Sequence, residues 1–329
     1  MIEQQRGTSR VIQRRESSGV SYLQFEHFLE VPDLVHGVFT RRGGHSREPF
    51  TGLNVSVSSG DAFEDVIRNR RLTLRTLGLE GYPCATLWQV HGAGVAVFQR
   101  EGWDDWRGDW GHRSYTLDGH ELIWTSRPRL KADALITRER GVALTMSFGD
   151  CTPLLFYDPV HEAIGLAHAG WRGTARGIAL TTVEALSKAF GSRPEQIFVA
   201  IAPAIGPCCY EVSEIVRGLF TGELDFPEMP TDPRLRNPIR HSAVFSMLPA
   251  GDRRGRPDRP SLRLDLQETN YYQLRMAGLL PEHIEVARVC TSCERAHYFS
   301  HRGEQGRTGR FPVVMALRDA AEREEERAS

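Results

Sequence analysis

Four short apolar runs in the middle of the chain restrict its fold more than any other feature. They lie at residues 142–147, 154–157, 163–167 and 197–201. Short apolar runs of this kind predict buried β-strands. Apolar residues also recur at helical spacing over residues 178–190, and Gly191 follows as the predicted end of that helix. Strands and helices that mix in this way predict an α/β protein.

The flanking sequence adds further elements and marks the ends of a single domain. Strands are predicted at 35–40, 86–90, 94–99, 284–289 and 313–317, and helices at 65–77 and 266–278. We expect the domain to span residues 22–318, between a flexible N-terminal tail at 1–21 and a charged tail at 319–329.

Two segments depart from the regular pattern and are interpreted as insertions. Residues 101–129 contain four tryptophans among Asp, Gly and Arg. We expect these indoles to pack locally, and a lid that stacks on an aromatic ligand is the alternative. Residues 226–260 contain seven of the 18 prolines. We expect prolines at that density to prevent regular strand ladders.

Charge and cysteine content exclude several classes of protein. Lys and Arg number 41 against 42 Asp and Glu, which argues against a mainly electrostatic nucleic-acid binder. No stretch approaches the ~18 consecutive apolar residues of a membrane span, and no apolar core of a secretory signal is present. We therefore expect a cytoplasmic protein. Six cysteines in 329 residues are too sparse for a disulfide scaffold, which leaves thiols for chemistry.

Histidine and cysteine side chains follow predicted strands at three places, each beside residues that suit tight loops. These segments are 89–92, 149–153 and 168–174. Loops at strand ends are where α/β proteins place reactive groups. His91, Cys151 and His168 together would give a three-ligand metal site with a fourth position open, which is the arrangement of catalytic zinc.

Three other interpretations of these residues stay open. Cys151 and His168 could form a nucleophile and base without a metal, because the predicted strands make them neighbours. Two His, one Cys and an axial Met are the ligands of blue copper, but the odd spacing from Met146 to Cys151 places Met146 on the opposite strand face, in the core. The third interpretation is a buried Cys with two hydrogen-bonded His.

Glycine-rich turns supply two candidate anion sites. Residues 170–174 open a predicted helix, where free backbone N–H groups and the charge of Arg172 favour phosphate or a carboxylate. The alternative is a structural turn with Thr174 as the helix N-cap. Arg41 and Arg42, before two glycines, are the second candidate, and an ordinary exposed turn is the alternative there.

The remaining cysteines form the pair Cys208–Cys209 and a Cys-x-x-Cys motif of Cys290 and Cys293. A Cys-x-x-Cys suggests redox chemistry or zinc, but no second motif of this type accompanies it. We therefore expect structural thiols at these positions.

Seven strings of residues, in this order, resemble the laccase-domain family, also called the multicopper polyphenol oxidase family. They are HGVFTRRGG at 36–44, LNVS at 53–56, QVHG at 89–92, DCTPLLFYD at 150–158, AHAGWRGT at 167–174, AIGPCCYEV at 204–212 and CTSCERAHYFSHR with a following GR at 290–310. The resemblance covers about residues 34–318. Its members are regarded as purine nucleoside phosphorylases with adenosine deaminase activity.

The resemblance implies a fold, a cofactor and an activity. The fold is a single-domain α/β sandwich with a mixed β-sheet, which the family shares with a Cys/His deamidase toxin. The cofactor is Zn²⁺ held by His91, Cys151 and His168, with copper as the alternative that the oxidase label implies. The activity is phosphorolysis of adenosine, inosine and guanosine, release of the base from methylthioadenosine, and deamination of adenosine.

Further site residues follow from these strings and from the turns. Asp150 is the candidate general acid or base, and Cys151 and Arg172 are the other candidate catalytic residues. Candidate substrate-binding residues are Arg41, Asn54, Gly170 and Gly173. Purine nucleosides and phosphate are the expected partners, without nucleic acid or membrane.

Departures from the family pattern leave all three candidate ligands in place. Residues 147–149, Ser-Phe-Gly, precede Asp150 where the family usually has a small residue, and His301 replaces an expected Tyr. These departures bear on substrate preference.

Three rival functions stay open, namely a Cys-nucleophile hydrolase or amidase that uses Cys151 and His168, a copper-dependent polyphenol oxidase, and a non-enzymatic metal-binding partner protein.

Overall fold

The computed structural model describes residues 13–99, 111–117, 120–225, 227, 229–252 and 258–319. The strands are β1 Gln13–Ser17, β2 Val20–Gln24, β3 Leu34–Phe39, β4 Cys84–Trp88, β5 Val95–Phe98, β6 Gly111–Leu117, β7 His120–Lys131, β8 Ala134–Thr137, β9 Val142–Phe148, β10 Thr152–Asp158, β11 Ala163–Ala169, β12 Phe198–Ile201, β13 Phe245–Leu248, β14 Ser261–Leu264, β15 Ile284–Val286 and β16 Phe311–Leu317. The helices are α1 Glu26–Leu29, α2 Phe63–Thr76, α3 Trp171–Ala175, α4 Ile178–Phe190, α5 Glu214–Thr221, α6 Pro233–Ser242 and α7 Leu266–Met276. Among the described residues, no helix combines the length and the apolar character that crossing a membrane requires.

Two large mixed sheets form the centre of the fold. The eight-stranded sheet has the order β1-β2-β3-β16-β9-β4-β7-β6, and the six-stranded sheet has the order β15-β12-β10-β11-β8-β5. Strand β4 is parallel to β7 and β9, β5 is parallel to β8, and β12 is parallel to β15. The other neighbours are antiparallel. The α/β class and the mixed sheet that the sequence predicts are confirmed.

The two sheets pack face to face around a shared apolar core. In β10, Leu155 and Tyr157 point into this core, which also contains residues of β9 and β16. Leu154 and Phe156 alternate with them and point to the opposite face. Strand β16 alternates in the same way between the central core and the helix-covered side. Because both faces are buried, these strands have continuous apolar runs in the sequence.

Helices cover the outer faces of both sheets. Ile67 and Leu74 of α2 pack against Val35 of the eight-stranded sheet. Leu186 of α4 and Leu274 of α7 pack against the six-stranded sheet. The result is a four-layer sandwich in which every central strand of the 142–201 region is buried on both faces.

The prediction of a flexible tail at 1–21 is wrong for residues 13–21, which form strands and the turn between them. Strands β1 and β2 pair antiparallel, and Ser18 and Gly19 join them with φ of 53° and 76°. Two successive residues with positive φ make the tight hairpin turn whose twist matches paired strands. Val20 is buried in the core under α2, which fixes the hairpin to the sheet. Residues 1–12 and 320–329 lie outside the described residues.

The proline-rich segment 226–260 is more regular than its composition predicts. Pro233 is tolerated at the start of α6, because first-turn N–H groups have no partner within a helix. The Asp232 side chain accepts the N–H of Arg234 and caps the same helix. Pro238 lies inside α6, and the helix continues past it to Ser242. Strand β13 then pairs antiparallel with β14. The expectation that prolines prevent strand ladders here is therefore wrong for residues 245–248.

The tryptophan-rich segment contributes a hairpin to the eight-stranded sheet. Strands β6 and β7 pair antiparallel, and β7 joins β4 in parallel. Residues 100–110, and the side chains of 111–130, lie outside the described residues. The predicted packing of the indoles therefore stays a prediction.

Replacing Leu155 by Ala should lower the free energy of unfolding by ~2–5 kcal/mol, because the change leaves a cavity in the core between the sheets. Urea unfolding followed by circular dichroism measures this loss. Val160→Ala is the control, since Val160 is 58% exposed after β10 and its truncation should cost less than ~0.5 kcal/mol. Equal costs for the two variants would contradict the assigned core.

Candidate metal centre

The start of β10, the end of β11 and the loop between β4 and β5 bring His91, Cys151 and His168 together. One ligand atom from each residue lies within 4.8 Å of the ligand atoms of the other two. Cys151 directly precedes β10 and His168 lies near the end of β11, and the antiparallel register pairs Pro153 with His168. His91 lies in the loop between β4 and β5, with φ of 61°. The structure thus gathers the residues that the sequence proposed as ligands.

The buried carboxylate of Asp133 holds two of these residues in position. It accepts a hydrogen bond from Nδ1 of His168 at 2.8 Å and from the backbone N–H of His91 at 2.9 Å. It also accepts the N–H groups of Gly92 and Val90. With Nδ1 donating to Asp133, Nε2 of His168 carries the lone pair that a metal or a proton can use.

Asp133 is not among the site residues that the sequence motifs predict. It lies between Ala132 and the first residue of β8 in an otherwise apolar stretch, and its side chain is fully buried. A single carboxylate within such a stretch is a signal, because a buried charge needs partners. Its pKa is lowered, since the hydrogen bonds from His168, Gly92 and His91 outweigh the opposing effect of burial.

Cys151 and His168 form a pair with opposite pKa shifts. Burial alone would raise the pKa of the Cys151 thiol, but the neighbouring His168 and His91 lower it to about 6. Burial alone would lower the pKa of His168, but the Cys151 thiolate and the hydrogen bond to Asp133 raise it to about 9. The lowered pKa of Cys151 favours the thiolate, which is the form that binds metals and attacks carbon.

Asp150 lies next to Cys151 and is held from three sides. Its Oδ1 accepts the hydroxyl protons of Thr291 and Ser300, each at 2.7 Å, and its Oδ2 accepts the N–H of Arg302 at 2.6 Å. Its φ is 94°, a conformation that non-glycine residues rarely adopt. These contacts fix the turn that carries Cys151.

Gly170 and Gly173 approach the centre so closely that a side chain would not fit. A Cβ on Gly170 would lie 2.8 Å from Sγ of Cys151 and 3.0 Å from Cδ2 of His91. A Cβ on Gly173 would lie 2.8 Å from the carbonyl oxygen of Gly92. The glycines therefore permit the AHAGWRGT turn to close over the cluster.

The helix that follows this turn differs from the sequence prediction. Gly170 is the N-cap of α3, and Thr174 lies inside α3 with its N–H bonded to the Gly170 carbonyl. The alternative that made Thr174 the N-cap is therefore wrong. Helix α3 has five residues, and Gly177, with φ of 80°, starts the separate helix α4.

The predicted anion and substrate residues have different surroundings. Arg172 is exposed and stacks over Trp171 at 4.4 Å. Arg41 forms a 2.7 Å ion pair with Glu304. Asn54 is completely buried, donating to Ser59 and Asp61 and accepting the N–H groups of Ser56 and Arg310. In this conformation Asn54 offers no surface to a substrate.

Two arginines of the segment after Ser300, Arg302 and Arg310, also lie near the cluster and are not among the predicted site residues. A Cβ on Gly149 would lie 2.9 Å from Cδ of Arg310, and the charge of Arg310 interacts with Cys151 and Asp150. Arg302 is exposed and its guanidinium lies 5.1 Å from the ring of Tyr210. The string FSHR and the following GR carry both arginines, so the motif itself was the available signal.

Met146 is 3% exposed and packs in the core between the two sheets. The prediction from its odd spacing to Cys151 is confirmed.

Comparison with known proteins adds independent findings. Residues 35–318 match the family model described as multi-copper polyphenol oxidoreductase laccase. The purine nucleoside phosphorylase YlmD of Geobacillus stearothermophilus is 37% identical over 287 residues, which covers 87% of this chain and 90% of that protein. The crystal structure of YlmD from that organism matches with a TM-score of 0.70, 34% identity and coverage of 94% and 99%. The crystal structure of the hypothetical protein YfiH of Bacillus licheniformis matches with a TM-score of 0.70, 29% identity and coverage of 93% and 99%.

Replacing Asp133 by Asn should weaken zinc binding ~10–100-fold, because His168 loses the carboxylate that orients it and raises its basicity. Competition against a chelator of known affinity measures this change. Asp158→Asn is a matched control, since Asp158 is equally buried and binds Nδ1 of His161 at 2.7 Å away from the cluster. If both variants bind zinc alike, Asp133 does not support a metal.

Proposed function

Because this chain belongs to the family described as multi-copper polyphenol oxidoreductase laccase, we propose that it is a zinc-dependent purine nucleoside phosphorylase that also deaminates adenosine. The proposed substrates are adenosine, inosine, guanosine and methylthioadenosine. The observation that carries the proposal is the cluster of His91, Cys151 and His168, with Asp133 behind it, in a chain similar to a phosphorylase over nearly its whole length.

The donor set fits zinc. Two imidazoles and one thiolate are borderline-soft ligands, and three protein ligands leave a fourth position for water or substrate. The lowered pKa of Cys151 supplies the required thiolate, and Asp133 fixes the ring of His168. Zinc held there would supply Lewis acidity to a substrate oxygen or a water. Copper also binds imidazole and thiolate, so metal analysis decides between the two metals.

Phosphate and the nucleoside would be held by cations and by backbone groups around the cluster. In phosphorolysis an oxygen of phosphate bonds to C1′ of the ribose, and the base leaves with the electrons of the glycosidic bond. We assign phosphate to Arg172 and to the backbone of 170–173, with Arg302 as a further cation. The guanidinium group of Arg172 packs over the ring of Trp171, and that of Arg302 packs over the ring of Tyr210. These cation–π contacts hold the two charged groups in place.

We assign positioning roles to Arg41 and Asn54. The ion pair of Arg41 with Glu304 joins the 41–54 loop to the segment after Ser300. Asn54 joins the same loop to Arg310 through its Oδ1. Both residues would therefore act on substrate through the loops that they hold.

Asp150 is the proposed proton-transfer group. Its carboxylate lies beside Cys151, and its two oxygens accept three hydrogen bonds, so its position is fixed before substrate binds. A carboxylate in this place could take a proton from the attacking water in deamination, or from hydrogen phosphate in phosphorolysis, and pass it to the leaving ammonia or base.

One observation favours a second function. Cys151, His168 and Asp133 have the arrangement of nucleophile, base and orienting group, with the thiol pKa lowered to about 6. Without a metal this arrangement could cleave an amide through a thioester. A Cys-nucleophile hydrolase is therefore the second candidate.

Incubation of adenosine and inosine with and without phosphate tests the proposed function. We expect free base and ribose 1-phosphate only with phosphate, and inosine from adenosine in either condition. Cys151→Ala should abolish both reactions and lose the metal bound at the cluster, because it removes a ligand. Chromatography of the products and metal analysis measure these outcomes.

Two results would contradict the proposal. Unchanged nucleosides under both conditions would exclude it. Amide cleavage that persists in metal-free protein and disappears in Cys151→Ala would establish the thiol hydrolase instead.

Replacing Asp150 by Asn should reduce turnover ~10²–10⁴-fold, because the amide that replaces the carboxylate does not transfer a proton. Asn keeps one oxygen for Thr291 and Ser300, but its amide nitrogen replaces the oxygen that accepts the N–H of Arg302, so zinc content must show whether the turn that carries Cys151 persists. Turnover rates of the variant and the unaltered protein, each divided by the zinc content determined in parallel, check this result. A variant that binds zinc weakly but turns over at the full rate per bound zinc would show that Asp150 only positions Cys151.

A further inference from the structure

Four cysteines gather in a second cluster that the proposed reaction does not use. The Sγ atoms of Cys208, Cys209, Cys290 and Cys293 all lie within 4.8 Å of one another. Sγ of Cys293 lies 3.4 Å from that of Cys208 and 3.5 Å from that of Cys209. All four are free thiols. In the sequence these cysteines form two separate pairs that lie about 80 residues apart.

We propose that these four cysteines form a structural zinc site. Tetrahedral zinc with Zn–S bonds of ~2.3 Å places its sulfur atoms ~3.8 Å apart, which is close to the distances in this cluster. A disulfide would require ~2.05 Å between two sulfurs. Four thiolates complete the coordination of zinc and leave no position for substrate, which is the mark of a structural site.

The fold brings the two cysteine pairs together through backbone contacts. Ala204 and Cys290 form a parallel bridge, in which Ala204 accepts the N–H of Thr291 and donates its own N–H to Val289. Tight turns then follow on both sides. The N–H of Cys209 bonds to the carbonyl of Gly206, and the N–H of Glu294 bonds to the carbonyl of Cys290. Each turn directs two thiols to the same point.

Gly206 lies against the four-cysteine cluster, and its backbone N–H can stabilise a thiolate there. Its N–H donates to Sγ of Cys290 at 3.2 Å. Backbone N–H groups that donate to sulfur stabilise the negative charge of a metal-bound thiolate. A Cβ on Gly206 would lie 3.2 Å from Cβ of Cys290 and 3.4 Å from Sγ of Cys208. Glycine thus lets the backbone approach the four sulfurs closely.

A metal at this place would brace the proposed catalytic centre. Ile205, beside Gly206, donates its N–H to the carbonyl of Asp150 at 2.9 Å. Thr291, beside Cys290, donates its hydroxyl to Oδ1 of Asp150 at 2.7 Å. Both loops of the four-cysteine cluster therefore hold the residue that precedes Cys151. Zinc that joined the two loops would keep Asp150 fixed.

Zinc content of the purified full-length chain tests the site. The unaltered protein should contain about two zinc ions per chain, and Cys293→Ser about one, because three thiolates bind zinc much more weakly than four. Cys151→Ser should also contain about one, since it disrupts the other cluster, and the double variant close to none. Cys84→Ala is the control with unchanged content, because Cys84 lies in neither cluster.

X-ray absorption at the zinc edge of Cys151→Ser gives a second readout that does not depend on altering the four-cysteine cluster. Four sulfur ligands at ~2.3 Å would support the proposal. A shell of nitrogen and oxygen, zinc content unaffected by Cys293→Ser, or a disulfide among these cysteines in peptides mapped without reductant would overturn it. None of these readouts requires nucleoside turnover, and Cys293→Ser should lose about one zinc ion whether or not the His91–Cys151–His168 cluster holds zinc, so failure of this proposal is distinguishable from failure of the proposed function.

Discussion

The site depends on the hydrogen bonds that the buried carboxylate of Asp133 accepts. This carboxylate lies just before β8, completely buried, where an isolated charge would be costly. Three backbone N–H groups of the loop at 90–92 and the imidazole of His168 satisfy it. One buried charge thereby joins the β4–β5 loop to the end of β11. Without it, His91 and His168 would lose the contacts that hold them near Cys151.

The sandwich explains why such a site can be rigid. Strands β10 and β11 are buried on both faces, so their register is fixed by two apolar cores at once. Cys151 and His168 lie at the ends of these strands, so the fixed register also fixes their positions. The segment after Ser300 then closes from the other side through its contacts with Asp150. Rigid strands and a bracing loop together preorganise the cluster before any ligand binds.

Two groups of candidate metal ligands meet at Asp150. On one side the next residue is Cys151, and on the other side the contacts of Asp150 lead to Ile205 and Thr291, beside the four cysteines. The positive φ of Asp150 shows how much these contacts determine its conformation, because a β-carbon disfavours it. Stability of the loops and geometry of the candidate reaction centre are thus coupled through one residue.

The sequence by itself determined the central strands, the helix at 178–190 and the residues of the His–Cys–His cluster, because apolar periodicity and motif strings are local properties. Only the tertiary structure decided that Asn54 is buried, that Arg41 is paired with Glu304, and that Asp133 orients His168. It also decided that two distant cysteine pairs form one cluster and that prolines near 238 belong to a helix. Hydrogen-bond partners and burial arise from strand register and packing between residues far apart in the chain, and no local pattern encodes them.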